Sequence, residues 1–191
     1  MRRAAALVST VFIGVGLAAC SDAPAHPHTS VPRTARTSLL SLTCPESAGQ
    51  QGGDQETVVA GVEGLVLPGS DDPGGLYPIR AADGKRYFVY KDFLAVSAAD
   101  APFATVSVIR PAGAALVYGS SSRIGELFSA SSGQGLVAVS RRMVRLPVCG
   151  PRFTGFVGGV ILAGPACVTF EVSSPSARPR TVSVPIGVSA C

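Results

Sequence analysis

Val182-Ser183-Val184-Pro185-Ile186-Gly187-Val188-Ser189 places apolar side chains at every second position, with small or polar residues between them. A period of two turns one face of an extended chain toward a core and leaves the other wet, so the stretch reads as a half-buried strand. Pro185 has no N–H to give to a ladder, which assigns this strand to a sheet edge or a bulge. Upstream, Val168, Phe170 and Val172 alternate with Thr169 and Glu171, and the Ser173–Pro179 stretch between the two runs supplies turn residues. A hairpin at the C-terminal end of the chain is the first expectation.

The same period recurs further back. Val144, Leu146 and Val148 alternate with Arg145 and Pro147, and Val106 and Val108 flank Ser107. Leu76–Phe93 reads as a second hairpin, in which Ala82-Asp83-Gly84-Lys85 turns Tyr77-Pro78-Ile79-Arg80 back onto Arg86-Tyr87-Phe88-Val89-Tyr90. Further strands are expected at 38–43, 57–67, 114–118, 135–141 and 157–162. Short helical pieces are expected at Ser122–Ser129, capped by Ser122 with Ile124, Leu127 and Phe128 on one face, and at Phe93–Ala99. The fold class is therefore all-β: a disulfide-stapled β-sandwich of two packed sheets. An immunoglobulin-like arrangement is one candidate, weakened because the chain has no Trp to sit against a bridge.

Composition narrows the function classes. The chain has 191 residues, 47% hydrophobic and 15% charged, which excludes a disordered tail, a coiled coil and collagen. The formal charge of +4 arises largely before Cys44, and from that residue onward twelve bases stand against eleven acids. Such a balance gives no basic face for nucleic acid. Charge is nonetheless uneven, −5 over residues 44–100 and +6 over 101–191. Cross-strand pairing of the two halves is the plain expectation, and a two-poled surface the alternative.

Arg2 and Arg3 precede an apolar run from Ala4 to Ala19 that is short for a permanent membrane helix. Leu17-Ala18-Ala19-Cys20 follows, and this tetrad resembles the lipobox of bacterial lipoproteins. The resemblance covers about twenty residues and carries no activity. It implies that residues 1–19 are a signal peptide cut before Cys20, and that the Cys20 thiol carries a diacylglyceryl group. The chain would then be anchored at the extracytoplasmic face of the cell membrane. Residues 20–37, with three prolines and both histidines (His26 and His28), read as an extended linker, and 38–191 as the sandwich domain. Two imidazoles on such a tether make a poor metal site, and no metal or cofactor is expected.

With Cys20 committed to the anchor, Cys44, Cys149, Cys167 and Cys191 remain, separated by gaps of 105, 18 and 24 residues that match no zinc or redox motif. An even number in an exported domain implies two disulfides. Of three connectivities, Cys44–Cys149 with Cys167–Cys191 is favoured, since the last two flank the C-terminal hairpin and would pin its end.

Catalytic sets are sparse in the sequence. No His follows residue 28 and no Lys stands in an S-x-x-K frame, which argues against Ser/Cys–His and Ser–Lys chemistry. Asp54 with Glu56, and Asp71 with Asp72, are the carboxylate pairs open to a hydrolase of cell-wall glycan, though their Gly/Pro settings suit turns better. Arg141, Arg142 and Arg145 form the densest basic cluster and are the candidate partner-binding residues, 141 and 145 sharing a strand face. Tyr77, Tyr87, Phe88 and Tyr90 make an aromatic hairpin that suits a core more than a glycan platform. The sequence thus points to a non-enzymatic binding or assembly module of the envelope, its partner an envelope protein or an anionic wall polymer, with the carboxylate hydrolase as the alternative.

Overall fold

The computed structural model describes residues 39–49, 58–63, 75–97, 101–129 and 134–191. The expected signal peptide, lipobox and linker, and both carboxylate pairs, lie outside these residues. The elements run β1 (Leu39–Ser41), β2 (Val58–Val59), β3 (Val62–Glu63), β4 (Leu76–Arg80), β5 (Arg86–Ser97), β6 (Phe103–Arg110), β7 (Ala115–Gly119), α1 (Ser121–Ser129), α2 (Gln134–Val139), β8 (Met143–Pro147), β9 (Phe153–Leu162), β10 (Ala166–Ser174) and β11 (Ala177–Ile186). They form two sheets. The first has the order β1-β8-β6-β10-β11, and the second β2-β3-β5-β9-β7, with β4 pairing with β5 beside β3.

The C-terminal hairpin forms in the register that its alternation demands. Val168 pairs with Val184 and Phe170 with Val182, so both apolar sets share the inward face. β11 is the sheet edge that Pro185 calls for. Against this face packs the inner face of the second sheet, through Leu94, Val96, Leu116, Phe156, Val160 and Leu162. A second apolar cluster lies on the outer side of the second sheet. There Tyr87, Val89, Ala115, Val117 and Ile161 are covered by Ile124 of α1 and by Leu136 and Val137 of α2. Among the described residues the fold is therefore a sandwich with a helical cover on the second sheet only.

That cover explains where the sequence reading fails. Phe93–Ala99, expected as helical, is strand through Ser97, because β5 pairs with β9 from Phe88↔Leu162 to Ser97↔Phe153. Its residues are apolar on both faces because both faces are packed, and such a run loses the period of two. Residues 135–141, expected as a strand, instead supply most of α2. A short apolar run is ambiguous between the two states, and here the exposed back of β7 and β9 selects a helical lid of Leu136 and Val137. The strand expected at 57–67 breaks into the β2–β3 hairpin, turned by Ala60 and Gly61, both at positive φ (48° and 83°). Helix α1 is capped at Ser120 rather than Ser122. The Ser120 carbonyl accepts the Ile124 N–H at 2.9 Å and its Oγ accepts the Arg123 N–H at 3.4 Å.

Candidate functional site

The first described strand fixes where the preceding chain leaves the fold. β1 lies parallel to β8 at the edge of the first sheet, with Leu39 opposite Met143 and Ser41 opposite Arg145. The backbone then crosses to the second sheet. Leu42 N–H donates to the Arg145 carbonyl at 3.0 Å, and six residues later Ala48 N–H donates to the Gly155 carbonyl at 2.7 Å. The short 3₁₀ turn between them, Cys44–Glu46, is closed by a capping box in which the Glu46 carboxylate accepts the Thr43 N–H at 2.8 Å. Cys44 is disulfide-bonded to Cys149, with the Cα atoms 5.4 Å apart. Cys149 sits in the loop that carries the chain from β8 to β9, and its N–H donates to Thr154 Oγ1 at 2.8 Å. One covalent bond thus ties the root of the N-terminal segment to the return connection between the sheets.

The three candidate arginines make contacts in three different places. Arg142 donates to the carbonyls of Val108, of Ile109 at 3.0 Å and of Ala112 at 2.9 Å, holding the β6–β7 turn. Arg141 donates to the Ala138 carbonyl at 3.2 Å and the Ser140 carbonyl at 2.8 Å, satisfying the C-terminal end of α2. Arg145 alone stands on the outer face of the first sheet, its guanidinium 4.4 Å from the centre of the Phe103 ring. The aromatic hairpin is divided in the same way. Tyr87 is fully buried beneath the helices, Tyr90 packs against the inter-sheet core, and Tyr77 is exposed with Lys91 Nζ 4.5 Å from its ring centre.

The structure adds a pair that the sequence reading missed. Asp92 of β5, Gly158 of β9 and Tyr118 of β7 lie in one row across the second sheet. The Tyr118 ring crosses directly over Gly158, where a Cβ would come within 2.3 Å of the ring and 2.2 Å of the Val117 carbonyl oxygen. Its hydroxyl thereby reaches the Asp92 carboxyl on the far strand and donates to it at 3.2 Å, while Phe93 N–H donates to the other oxygen at 2.7 Å. Burial pushes the Asp92 pKa up to about 7, and those two donors only partly offset it. The same burial, with the Asp92 charge beside it, raises the Tyr118 hydroxyl well above its ordinary value. Asp92 is a carboxyl held between the sheets, where it can keep a proton near neutral pH.

The favoured second disulfide is not formed here. Cys167 and Cys191 are free thiols at the same corner of the fold. The Cys167 S–H is taken up by the Ala190 carbonyl at 3.3 Å. Among the described residues no group of three or more His, Cys, Asp or Glu side chains could hold a metal ion.

Comparison with protein-family models, curated proteins and solved structures returns no match for this chain.

Proposed function

We propose that this chain is an exported lipoprotein of the bacterial envelope, anchored through a diacylglyceryl group on Cys20, whose sandwich domain is a non-enzymatic binding or assembly module. The observation that carries the reading is the stapled root. The segment that follows the linker becomes an edge strand of the first sheet and is bonded at Cys44 to Cys149 within a few residues. A domain held by a tether needs its point of attachment fixed against pulling and fraying, and a disulfide closing 105 residues supplies that.

The open outer face of the first sheet is the surface offered to a partner. Ser41, Thr105, Thr169 and Ser183 alternate outward there around Arg145 and Glu171, with Ser107 buried at the middle of the sheet and Met143 and Leu39 about 40% exposed (39% and 40%) beside the root. Mixed charge, hydroxyls and a few exposed apolar side chains suit an envelope protein better than an anionic polymer, because only Arg145 of the arginine cluster faces outward.

Intact mass of the protein taken from its native membrane tests the anchor. A diacylglyceryl adduct on Cys20, and release of Cys20→Ser to the soluble fraction, are the expected results. An unmodified Cys20 in the mature protein would overturn the anchored reading. Cleavage of purified wall glycan by the domain would overturn the non-enzymatic one.

A further inference from the structure

We propose that Cys167 and Cys191 are a thiol–disulfide exchange site, a reversible counterpart to the permanent Cys44–Cys149 staple. The β10–β11 ladder pairs Cys167 with Pro185 and Ala166 with Ile186, so the chain leaves β11 one residue beyond the level of Cys167. Gly187 then turns it at φ 67°, in a corner where a Cβ would stand 2.4 Å from Leu76 Cδ1 and 3.2 Å from Pro165 Cβ. Only glycine fits that corner and that dihedral together. The four following residues fold back, which sets the Ala190 carbonyl on the Cys167 thiol at 3.3 Å and brings Cys191, the next residue, beside it. Cys191 is exposed and Cys167 is half-buried, so both can be reached by an outside disulfide.

The reaction is exchange with a disulfide of a small molecule or a protein donor. One cysteine thiolate attacks the donor disulfide, whose S–S bond breaks as a mixed disulfide forms. The second thiolate attacks the mixed disulfide and makes the Cys167–Cys191 bond. The donor leaves as two thiols, carrying the two electrons and the two protons that the cysteines lose. Closing constrains little beyond residues 187–191, because the hairpin already holds Cys167 near Ile186. Opening it therefore frees only residues 187–191, whereas opening Cys44–Cys149 unties the root of β1 from the β8–β9 connection.

The test treats the purified full chain with oxidised and then reduced glutathione, so its result does not depend on where the protein resides. Oxidised glutathione is expected to lower the mass by about 2 Da, with no lasting glutathione adduct. Tryptic digestion is then expected to yield residues 153–180 and 181–191 as one disulfide-linked pair. Reduced glutathione should reverse this while Cys44 and Cys149 stay protected from alkylation. In Gly187→Val the misplaced turn should cut closure relative to mixed-disulfide formation on the order of tenfold, with the intact Cys44–Cys149 bond reporting that the fold survives. Stable glutathione adducts on the unaltered chain would overturn the proposal. So would a Cys167–Cys191 bond that opens only together with Cys44–Cys149.

Discussion

Replacing Asp92 by Asn is expected to stabilise this protein at pH 8 and to leave its stability nearly unchanged at pH 4. The carboxyl lies on the inward face of β5, accepts from Tyr118 and Phe93, and is pushed by burial from 3.8 to about 7. In the unfolded chain it titrates at its ordinary value. Between the two values the folded state binds a proton that the unfolded state has released, so stability falls as the pH rises through that window and stays low above it. Below about pH 4 both states are protonated and the group contributes no pH dependence. At about 1.4 kcal/mol per pH unit, a window of roughly three units gives about 4 kcal/mol of destabilisation above pH 7.

The amide introduced by Asp92→Asn would keep the shape, its one oxygen accepting the Phe93 N–H and its NH₂, standing where the protonated acid has its O–H, donating to the Tyr118 hydroxyl oxygen. It could not ionise. The stability difference between Asp92→Asn and the parent should therefore grow from near zero at pH 4 to about 4 kcal/mol at pH 8, or roughly 10 °C in Tm for a domain of this size. Asp83, whose carboxyl is held below its ordinary value by the Lys85 N–H, adds the opposite trend at low pH. It is common to both proteins and cancels in the difference. Urea unfolding of the two at five pH values from 4 to 8 is the assay. A difference that is flat with pH, or a variant less stable than the parent at pH 8, would mean that Asp92 is charged and well satisfied when folded, and the reasoning would be wrong.

Other outcomes follow from the same packing. Gly158→Ala should cost about 3 kcal/mol or more in chemical denaturation, since its Cβ meets backbone at 2.2 Å and the Tyr118 ring at 2.3 Å, and overpacked sites relax poorly. Cys44→Ser with Cys149→Ser should lose about 5 kcal/mol in the chain-entropy account of a long loop, read as a lowered urea midpoint. Arg142→Lys should destabilise nearly as much as Arg142→Ala, about 1 to 3 kcal/mol, because an ammonium cannot reach the carbonyls of Val108, Ile109 and Ala112 together. Equal stability of the Lys variant and the parent would show that the three bonds contribute little.

What the sequence made legible is the part of the fold with one wet face. β8, β10 and β11 carry clean alternation because, among the described residues, the first sheet packs on one side only, and the Asp83-Gly84 turn announces the β4–β5 hairpin. β9 and the latter half of β5 are packed on both sides, so Phe93-Leu94-Ala95-Val96 carries no period to read. α2 is too short to show a helical repeat, and its Leu136 and Val137 take their state from the sheet they cover. Asp92 was hidden for a different reason. An acid between Lys91 and Phe93 reads as a solvated strand position, and its partner lies 26 residues away. The local clue was Gly158-Gly159 inside an apolar strand, where missing side chains mark a close approach. The arginines diverge in their contacts because helix ends and turns leave carbonyls that the Arg141 and Arg142 guanidinium groups satisfy, a demand invisible until the chain is folded.

The asymmetry of the two sheets makes a further separation testable. The second sheet has spent both faces, one on the inter-sheet core and one on α1 and α2, so a charge placed at Val117 or Leu136 must be buried among Ile124, Val89 and Ile161. Val117→Glu should unfold the domain or cost more than about 4 kcal/mol, as an unpaired buried charge does. The outer face of the first sheet has no such layer among the described residues, and Met143→Glu, at a position already 39% exposed, should change stability by less than about 0.5 kcal/mol. If Met143→Glu instead destabilises the domain strongly, that face is held closed by a contact within the molecule and is not the surface offered to a partner. If it is neutral, loss of partner crosslinking in the same variant separates binding from folding, which no substitution on the second sheet can do.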